Sequence, residues 1–392
     1  MAARVLVLGA GFGGLELTAT LAEELGDAAD ITLIDRTEEF VFGFSKLDVM
    51  FGRVRADHVR HRYSGLAAPG VTFVHAGVTA IDADAKRVET TAGTFDADYL
   101  VIALGADYDL SRTRGLAEYG HEFYSEAGAF ATRDVLEAFT GGDVVVGITA
   151  GPFKCPPAPS ETVLLLEEML RQRGIRDSST ITLVMPFPRP IPPSPDASAA
   201  ILAAFEERGI AWHPDTGVRS LDGDRRVANL GDGAQLPFDL YLGVPVHRVP
   251  DVIEASGLTV DGWVPVDPLT LETPWPDVFA IGDCAAVGTP RAGVFAERQG
   301  VTAARRIAAR VRDASAVDRY DGRGTCYIEF GGDAVGIVDV DFFAGRPSAT
   351  LHGPSRALAA DKNAFGAARV KRWFGRDWDP VGRSGRARTG PP

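Results

Sequence analysis

Apolar runs alternate along the chain with amphipathic segments and glycine-rich turns, and this alternation predicts strands followed by helices. Strands are predicted at 4–8 and 31–34, with an amphipathic helix at 15–25 between them. A second unit of the same kind has a buried strand at 144–148, a helix at 163–169 and a strand at 180–185. Repeated strand–helix–strand units are typical of α/β proteins with parallel sheets.

The remaining pattern predicts several further elements. They are strands within 71–88, 94–104, 239–244 and 275–283, a helix at 294–311, a hairpin of strands at 325–330 and 334–340, and a basic amphipathic helix at 355–374. The aromatic segment 39–53 has no clean period and is read as a packed loop, or as a loop that covers a cofactor ring. The Gly/Arg/Pro-rich end, 379–392, is expected to be disordered.

These elements predict two Rossmann-like dinucleotide-binding domains and a small C-terminal domain. The first domain is expected at 1–108 and 241–315, the second is inserted at 109–240, and the C-terminal domain and tail occupy 316–392. A chain of 392 residues is long enough for two or three such cores. The pattern leaves the oligomeric state open, and a homo-oligomer is one reading.

Composition and charge narrow the classes of function. A formal charge of −13 argues against nucleic acid as a partner, and no apolar run approaches the roughly 20 residues that span a bilayer. The chain enters a strand almost at once without a signal-peptide pattern, so we expect a cytoplasmic protein. Its three cysteines, 155, 284 and 326, are too few and too dispersed for a disulfide framework or a zinc site, and no metal is expected.

The turn after the first strand carries a glycine fingerprint for a dinucleotide. Gly9, Gly11 and Gly14 follow the strand directly and precede the helix, and Asp35 ends the next strand. Glycines at this spacing permit a tight turn and a close approach of backbone N–H groups to a pyrophosphate, while the acid can accept a hydrogen bond from a ribose hydroxyl. Nucleotide binding is therefore predicted here.

A second cofactor-binding set follows from two other strand ends. The strand within 94–104 ends in Gly105, and the strand within 275–283 ends in Gly282 and Asp283, before a helix that carries Gln299. An acid at this position can bind the hydroxyls of a polyol, and the helix N-terminus can face an electron-rich ring edge. Cys284, next in the chain, is read as a small packed residue.

The turn of the second unit departs from the nucleotide pattern. It holds Lys154, Cys155 and prolines 156, 157 and 159, which remove backbone donors that a phosphate would need. The proline-rich segment 186–195 replaces the acid expected to hold a nicotinamide ribose. The turn presents a thiol beside a carboxylate, Cys155 and Glu161, and we expect Lys154 and the following helix N-terminus to favour the thiolate. The plainer readings are a buried thiol and a carboxylate that complements the helix dipole.

With these motifs in place, the whole chain resembles the glutathione-reductase-type flavoproteins, and within them the sulfide:quinone oxidoreductase and flavocytochrome c sulfide dehydrogenase branch. The specific likeness lies in two motifs, FKCPPAPSE at 153–161 and TCY at 325–327. The resemblance implies FAD, a redox disulfide between Cys155 and Cys326, and an acid/base role for Glu161. Ser160 departs from the tyrosine of the dehydrogenase branch, and because residues 1–154 contain no cysteine, FAD is expected to be non-covalent.

The resemblance implies an enzyme that oxidises sulfide or a related sulfur compound and passes two electrons to a quinone. The basic segment 355–376 could then rest on a membrane as a peripheral contact, or pack on the protein itself. Two other functions stay open at this point. One is an NAD(P)H-dependent flavin or quinone reductase of the same fold, and the other is an FAD protein that senses redox state without turnover.

Overall fold

Two parallel sheets, each covered by helices, form the body of the protein. The computed structural model describes residues 2–315 and 318–382. The elements up to residue 102 are β1 (Ala3–Leu8), α1 (Phe12–Leu25), β2 (Ala29–Asp35), β3 (Glu39–Phe40), α2 (Gly43–Met50), β4 (His61–Arg62), β5 (Val71–His75), β6 (Val78–Asp82), β7 (Arg87–Thr90), β8 (Gly93–Asp96) and β9 (Tyr99–Ile102).

The middle of the chain builds the second sheet. Its elements are β10 (Asp107–Asp109), α3 (Leu116–Tyr119), β11 (His121–Glu122), α4 (Glu126–Ala138), β12 (Gly142–Ile148), α5 (Ala158–Gln172), β13 (Ser179–Val184), α6 (Pro195–Glu207), β14 (Ile210–His213), β15 (Val218–Asp222), β16 (Val227–Leu230), β17 (Gln235–Pro237), β18 (Leu240–Val244), β19 (Val246–Arg248) and α7 (Asp251–Ala255).

The chain then returns to the first sheet and adds a C-terminal unit. These elements are β20 (Val278–Ala280), α8 (Gly293–Val311), β21 (Arg323–Gly331), β22 (Ala334–Asp341), β23 (Ser348–Ser355) and α9 (Ala359–Phe374).

Sheet order explains why distant segments meet. The first sheet is parallel with order β20–β9–β1–β2–β5, and the second is parallel with order β11–β18–β12–β13–β14. The ends of β1, β9 and β20 therefore lie at one edge of the first sheet, where α/β proteins bind their ligands. The α/β class with two Rossmann-like sheets, expected from the sequence, is confirmed.

Several element predictions need correction. Segment 39–53 is not a loop throughout, because it contains the helix α2. The buried residues of this eight-residue helix lie on more than one of its sides, so the sequence shows no clean helical period. Helix α5 begins at Ala158, five residues before the predicted start, since proline is compatible with a first helical turn. The C-terminal sheet has a third strand, β23, that the sequence pattern did not reveal. Residues 383–392 of the predicted disordered tail lie outside the described residues.

Helix α9 packs on the protein, which is one of the two alternatives given for 355–376. Its Val370, Trp373 and Phe374 are buried. Its Arg369 pairs with Glu297 at 2.8 Å, and its Lys362 pairs with Glu329. Several of the side chains that suggested a lipid interface are thus used for packing within the chain. No helix in the described ranges is long and apolar enough to cross a membrane.

A buried carboxylate on α1 holds α9 in place. Glu16 is 4% exposed and accepts hydrogen bonds from Arg372 Nε at 2.8 Å and from Trp373 Nε1 at 2.8 Å. Arg372 also pairs with Glu23 at the surface. Because Glu16 satisfies two donors in a low-dielectric site, it joins the C-terminal unit to the first domain.

We expect Glu16→Ala to lower the free energy of unfolding by about 2 to 4 kcal/mol, because it leaves Arg372 Nε and Trp373 Nε1 without an acceptor, while Arg372 keeps its pair with Glu23. Glu23→Ala is the matched control: its carboxylate is exposed, so its loss should cost less than about 1 kcal/mol. Urea unfolding followed by tryptophan fluorescence measures both. Equal losses in the two variants would show that burial of Glu16 is unimportant.

Candidate functional site

The first strand–helix turn has the shape of a dinucleotide cradle. Gly9 has a φ of 101°, in the region that favours glycine, and a Cβ at Gly14 would overlap the Gly9 carbonyl oxygen. The Gly9 N–H is bonded to the Ile34 carbonyl at 2.7 Å, which ties the turn to the neighbouring strand. Gly11 is the residue before α1 and has open space around it. A pyrophosphate can therefore approach this backbone closely.

Asp35 makes hydrogen bonds within the turn that the sequence did not predict. Its Oδ2 accepts the Ala10 N–H at 2.7 Å, and its Oδ1 accepts the Thr37 N–H at 2.8 Å and the Thr37 hydroxyl at 2.7 Å. A carboxylate has about four lone-pair positions, so one remains for a ribose hydroxyl. Asp35 thus fixes the turn itself, and its contact with a ribose stays a prediction.

The predicted polyol end of the cofactor site comes together at the start of α8. Gln299 is buried, and its Oε1 accepts the Gly282 N–H at 2.7 Å. Gly282, Asp283, Arg291 and Gln299 line one recess. Burial raises the pKa of the Asp283 carboxyl, while Lys154 Nζ lies 4.0 Å from its Oδ2 and acts in the opposite direction. These residues fit the sugar-alcohol and ring end of a flavin dinucleotide.

The sequence also gave predictions for Gly105 and Cys284, which follow the neighbouring strands β9 and β20 of the first sheet. Gly105, with a φ of 70° and open space at its Cα, follows β9 and so lies beside the β1 and β20 ends. Cys284 is fully buried, and its Sγ lies 3.3 Å from the Ile281 carbonyl oxygen. It occupies a packed position, as the sequence indicated.

The corresponding turn in the second sheet is closed. Phe187, just after β13, packs over Gly151, where an added Cβ would come within 2.8 Å of its ring. Phe153 stacks on the same ring, with centroids 5.7 Å apart. An aromatic pair therefore fills the surface that a phosphate would approach, and Pro159 in the first turn of α5 has no N–H to offer.

Cys155 lies at the junction of the two domains. Its backbone is in the left-handed region with a φ of 47°, and its N–H donates to the Arg291 carbonyl at 2.7 Å. Its own carbonyl accepts the Ala158 N–H at 2.9 Å, which starts α5. A non-glycine residue rarely adopts this conformation, and such positions concentrate at functional sites. Cys155 is exposed, and its backbone is bonded to Arg291, one of the residues that line the recess.

Glu161 joins this turn to the strand of the other cysteine. It is 5% exposed in the first turn of α5, and its Oε1 accepts the Glu329 N–H on β21 at 2.9 Å. Cys326, half-buried, is on the same strand. The three predicted catalytic residues are close enough to influence one another's pKa, and both thiols are free.

The electrostatics of the three groups are coupled. Burial, opposed by Lys362 and Arg53, raises the pKa of Glu161 to about 7. Burial and the Glu161 carboxylate raise the pKa of Cys326 to about 12. The pKa of the Cys155 thiol lies well above the usual thiol value. Desolvation by the surrounding protein and the charges of Glu161 and Cys326 disfavour its thiolate, although the residue is exposed at the surface. These effects favour the neutral thiol over the thiolate that the sequence predicts at Cys155.

Lys154 is not the cation that acts on Cys155. Its Nζ donates to the Ala106 carbonyl at 3.1 Å and lies over the Tyr108 ring, 4.7 Å from the centroid. Burial tends to lower the pKa of Lys154, but Tyr108 and Asp283 outweigh it, and the pKa is raised. The cation that lowers the thiol pKa of Cys155 is Lys46 on α2. The sequence signal for it was a single lysine within the apolar segment 39–53.

Two further residues near this junction were missed by sequence reasoning. His247 Nδ1 donates to the Pro245 carbonyl at 2.9 Å, and burial lowers the pKa of this histidine to about 3, so it is neutral. Its Nε2 and the Tyr124 hydroxyl are buried and have no hydrogen-bond partner among the described residues. Their rings meet edge to face, 5.2 Å apart. Within the described ranges, no group of three or more His, Cys, Asp and Glu residues could hold a metal ion.

Comparisons of sequence agree with this geometry. The chain is 24% identical over 355 residues to the mitochondrial sulfide:quinone oxidoreductase of Mus musculus, covering 87% of this chain and 78% of that protein. It is 27% identical over 387 residues to the type II NADH:quinone oxidoreductase of Staphylococcus epidermidis, covering 89% and 92%.

Solved structures share the fold. The sulfide:quinone oxidoreductase of Aquifex aeolicus superposes with a TM-score of 0.81 at 21% identity, over 95% of this chain and 92% of that one. The NDH2 structure of Plasmodium falciparum in complex with NADH gives a TM-score of 0.74 at 12% identity, over 94% of both chains. At these identities the likeness concerns the fold alone.

The family follows from a match that covers most of the chain. A model described as pyridine nucleotide-disulphide oxidoreductase matches residues 3–300. Together with the relatives above, this match confirms the resemblance found in the sequence. The chain belongs to the pyridine nucleotide-disulphide oxidoreductase family.

Proposed function

We propose that this protein is an FAD-dependent oxidoreductase that oxidises sulfide, or a related small sulfur compound, and passes the electrons to a quinone. The observation that supports the proposal is the hydrogen bond from the Glu329 N–H, on the strand of Cys326, to Glu161, which lies in the helix that follows Cys155. FAD would be held without a covalent link by the Gly9–Gly14 turn, Asp35 and the Gly282–Asp283 segment, and it would supply a two-electron acceptor. The names of both groups of relatives support quinone as the final acceptor.

The sulfur chemistry starts from a disulfide between Cys155 and Cys326. Hydrosulfide attacks Cys155: a new sulfur–sulfur bond forms, the bond to Cys326 breaks, and its electron pair stays on Cys326 as a thiolate. The incoming sulfur is oxidised by two electrons and remains on Cys155 as a persulfide, while the disulfide is reduced. The two electrons leave through Cys326, which is the cysteine that faces the acceptor in this proposal.

Glu161 would handle the protons of this exchange. Its negative charge raises the pKa of both thiols, so it is close enough to each of them to influence their protonation. With a pKa of about 7, it can both take and release a proton near neutral pH. The hydrogen bond from the Glu329 N–H fixes one carboxyl oxygen and leaves the other for transfer.

A reductase that uses NADH is the second candidate, because type II NADH:quinone oxidoreductases are among the relatives. The Phe153–Phe187 pair over Gly151 opposes it, since this pair covers the turn at which a nicotinamide dinucleotide would place its phosphates. The same two-sheet fold serves both donors, so the fold does not choose between them.

The thiol pair predicts a specific spectral response. Anaerobic addition of sulfide to the FAD-bound protein should bleach the flavin absorbance, whereas Cys155→Ser and Cys326→Ser should lose this bleaching by at least about 100-fold in rate because the disulfide cannot form. Cys284→Ala is the matched control, and it should retain the parent rate. Bleaching that survives both serine variants would refute the disulfide route.

The closed second turn predicts that NADH is a poor donor. In the same anaerobic cell, we expect NADH to reduce the flavin at least about 100-fold more slowly than sulfide, since backbone donors and space for its phosphates are missing. Stopped-flow absorbance measures both donors. If NADH reduces the flavin rapidly and sulfide does not, the NADH reductase takes the place of the proposed activity. Reduction by sulfide that stops after one equivalent, with no turnover on a soluble quinone, would indicate a redox sensor.

The raised pKa of Glu161 predicts a pH-dependent stability. Its folded-state pKa of about 7 lies above the ordinary 4.5, so the folded protein binds the proton more tightly than the unfolded chain. The resulting stabilisation is complete below pH 4.5 and is lost as the pH rises through 7, by about 3 kcal/mol in total. Glu161→Gln should remove this part of the slope in urea midpoints measured from pH 4.5 to 8. Parallel profiles for parent and variant would mean that Glu161 titrates normally and is unsuited to proton transfer.

A further inference from the structure

An arginine outside the proposed reaction centre bridges the helix and the strand on which that centre is built. Arg53, just after α2, donates through Nη1 to the Glu329 carboxylate on β21 and through Nη2 to the Glu168 carboxylate on α5, the latter at 3.2 Å. Its Nη1 also lies 3.5 Å from Asp48 Oδ1 on α2. The Arg53 side chain is 31% exposed, so the three contacts are largely shielded from solvent.

The helix α5 and the strand β21 meet a second time at Glu161. Glu161 and Glu168 lie about two turns apart on one face of α5. Glu161 accepts the Glu329 N–H at 2.9 Å, and Glu168 reaches the Glu329 carboxylate through Arg53. The end of β21 is close to the same face, since a Cβ at Gly331 would lie 3.3 Å from Glu168 Oε2. The main chain and the side chain of Glu329 are therefore both held to α5.

A second cation fixes the other oxygen of Glu329. Lys362 on α9 is largely buried and donates to Oε1, whereas Arg53 donates to Oε2. The Glu329 side chain is itself 13% exposed, and a carboxylate at such a position needs partners of good geometry to offset the loss of its hydration. Lys362 thus connects Glu329 to α9, and Arg53 connects it to α5.

We propose that Arg53 is a positioning residue for Glu161: its guanidinium fork holds α5 and β21 at a fixed spacing, so that the Glu329 N–H stays on Glu161 Oε1 and leaves Oε2 for proton transfer. The use of Oε2 rests on the proposed function, whereas the bridge does not. The same spacing holds the strand of Cys326 against the helix that follows Cys155. Arginine suits this task because its planar fork binds carboxylates in a fixed geometry, whereas a lysine ammonium group acts as a point charge.

Several charged and titratable groups influence Glu161 or are influenced by it. They are Asp48 on α2, Arg53 after it, Lys362 on α9, Cys326 on β21 and Cys155 before α5. Burial raises the pKa of Glu161 to about 7, with the two cations acting against this rise and Asp48 acting with it. Arg53 therefore acts on Glu161 as a charge as well as through the bridge.

Two substitutions separate the charge from the bridge. Arg53→Lys keeps the positive charge and loses the fork, whereas Arg53→Met loses both. If Arg53 acted through its charge alone, the lysine variant would behave as the parent does. Since the bridge needs the fork, we expect both variants to change in the same direction.

Hydrogen exchange of the Glu329 amide in the FAD-bound protein measures the bridge directly. Labelling with ¹⁵N-glutamate makes this amide visible by NMR, and its absence in Glu329→Gln identifies the signal. Exchange should be at least about tenfold faster in Arg53→Met and in Arg53→Lys, because each loosens the contact between β21 and α5. Arg369→Met is the matched control: Arg369 is 24% exposed and pairs with Glu297, so its loss should leave the exchange rate unchanged.

The titration of Glu161 is the second measurement. Infrared absorption of its protonated carboxyl, identified by its loss in Glu161→Gln, should give a midpoint near pH 7 in the parent. Both Arg53 variants should raise this midpoint by about half a pH unit or more, because a carboxylate that loses a hydrogen bond is easier to protonate. Arg369→Met should keep the parent midpoint.

Flavin absorbance and urea midpoints confirm that each variant is folded. Parent behaviour of Arg53→Lys in both measurements, with a raised midpoint in Arg53→Met, would show that Arg53 acts as a charge alone and would overturn the proposal. Unchanged exchange of the Glu329 amide in Arg53→Met would overturn it as well. Because no sulfide is added, the result is independent of whether sulfide reduces the flavin.

Discussion

The hydrogen bond from the Glu329 N–H to the buried Glu161 carboxyl is the contact on which the site depends. It joins the first turn of α5 to β21, and these two elements carry the residues around Cys155 and Cys326. The cysteines are far apart in sequence, so only tertiary structure can bring them together. The contact also requires that a carboxyl be buried, and burial is what moves its pKa to about 7. The contact that joins the elements around the two thiols therefore also buries the Glu161 carboxyl and so raises its pKa.

Sequence reasoning succeeded where the physics is local. Glycine spacing after a strand, the strand-ending Gly282 and Asp283, and the prolines beside Cys155 each specify a backbone shape within a few residues, and the structure places them at sheet edges as that shape requires. It gave less information where the outcome depends on a partner elsewhere in the chain. The basic face of α9 gave no sign that Glu16, Glu297 and Glu329 would pair with it.

The electrostatics of the thiols were hardest to predict for the same reason. Lys154 is adjacent to Cys155 in sequence, yet the Ala106 carbonyl and the Tyr108 ring turn its ammonium group toward Asp283. Lys46 is over one hundred residues away and acts on the thiol because α2 packs near α4 and the Tyr124 carbonyl. Charge effects follow distance in space, and a sequence motif reports only distance along the chain.

The bond between Glu16 and the Arg372–Trp373 pair links α9 to α1, the helix whose start forms the dinucleotide turn. On its other side, α9 is tied through Lys362 to Glu329 on the strand of Cys326. A single helix therefore connects the helix of the dinucleotide turn to the strand of Cys326. During folding, the strand of Cys326 gains its ion pair with Lys362 only after α9 has been synthesised and has docked beside α1, so the contacts around this cysteine are completed late.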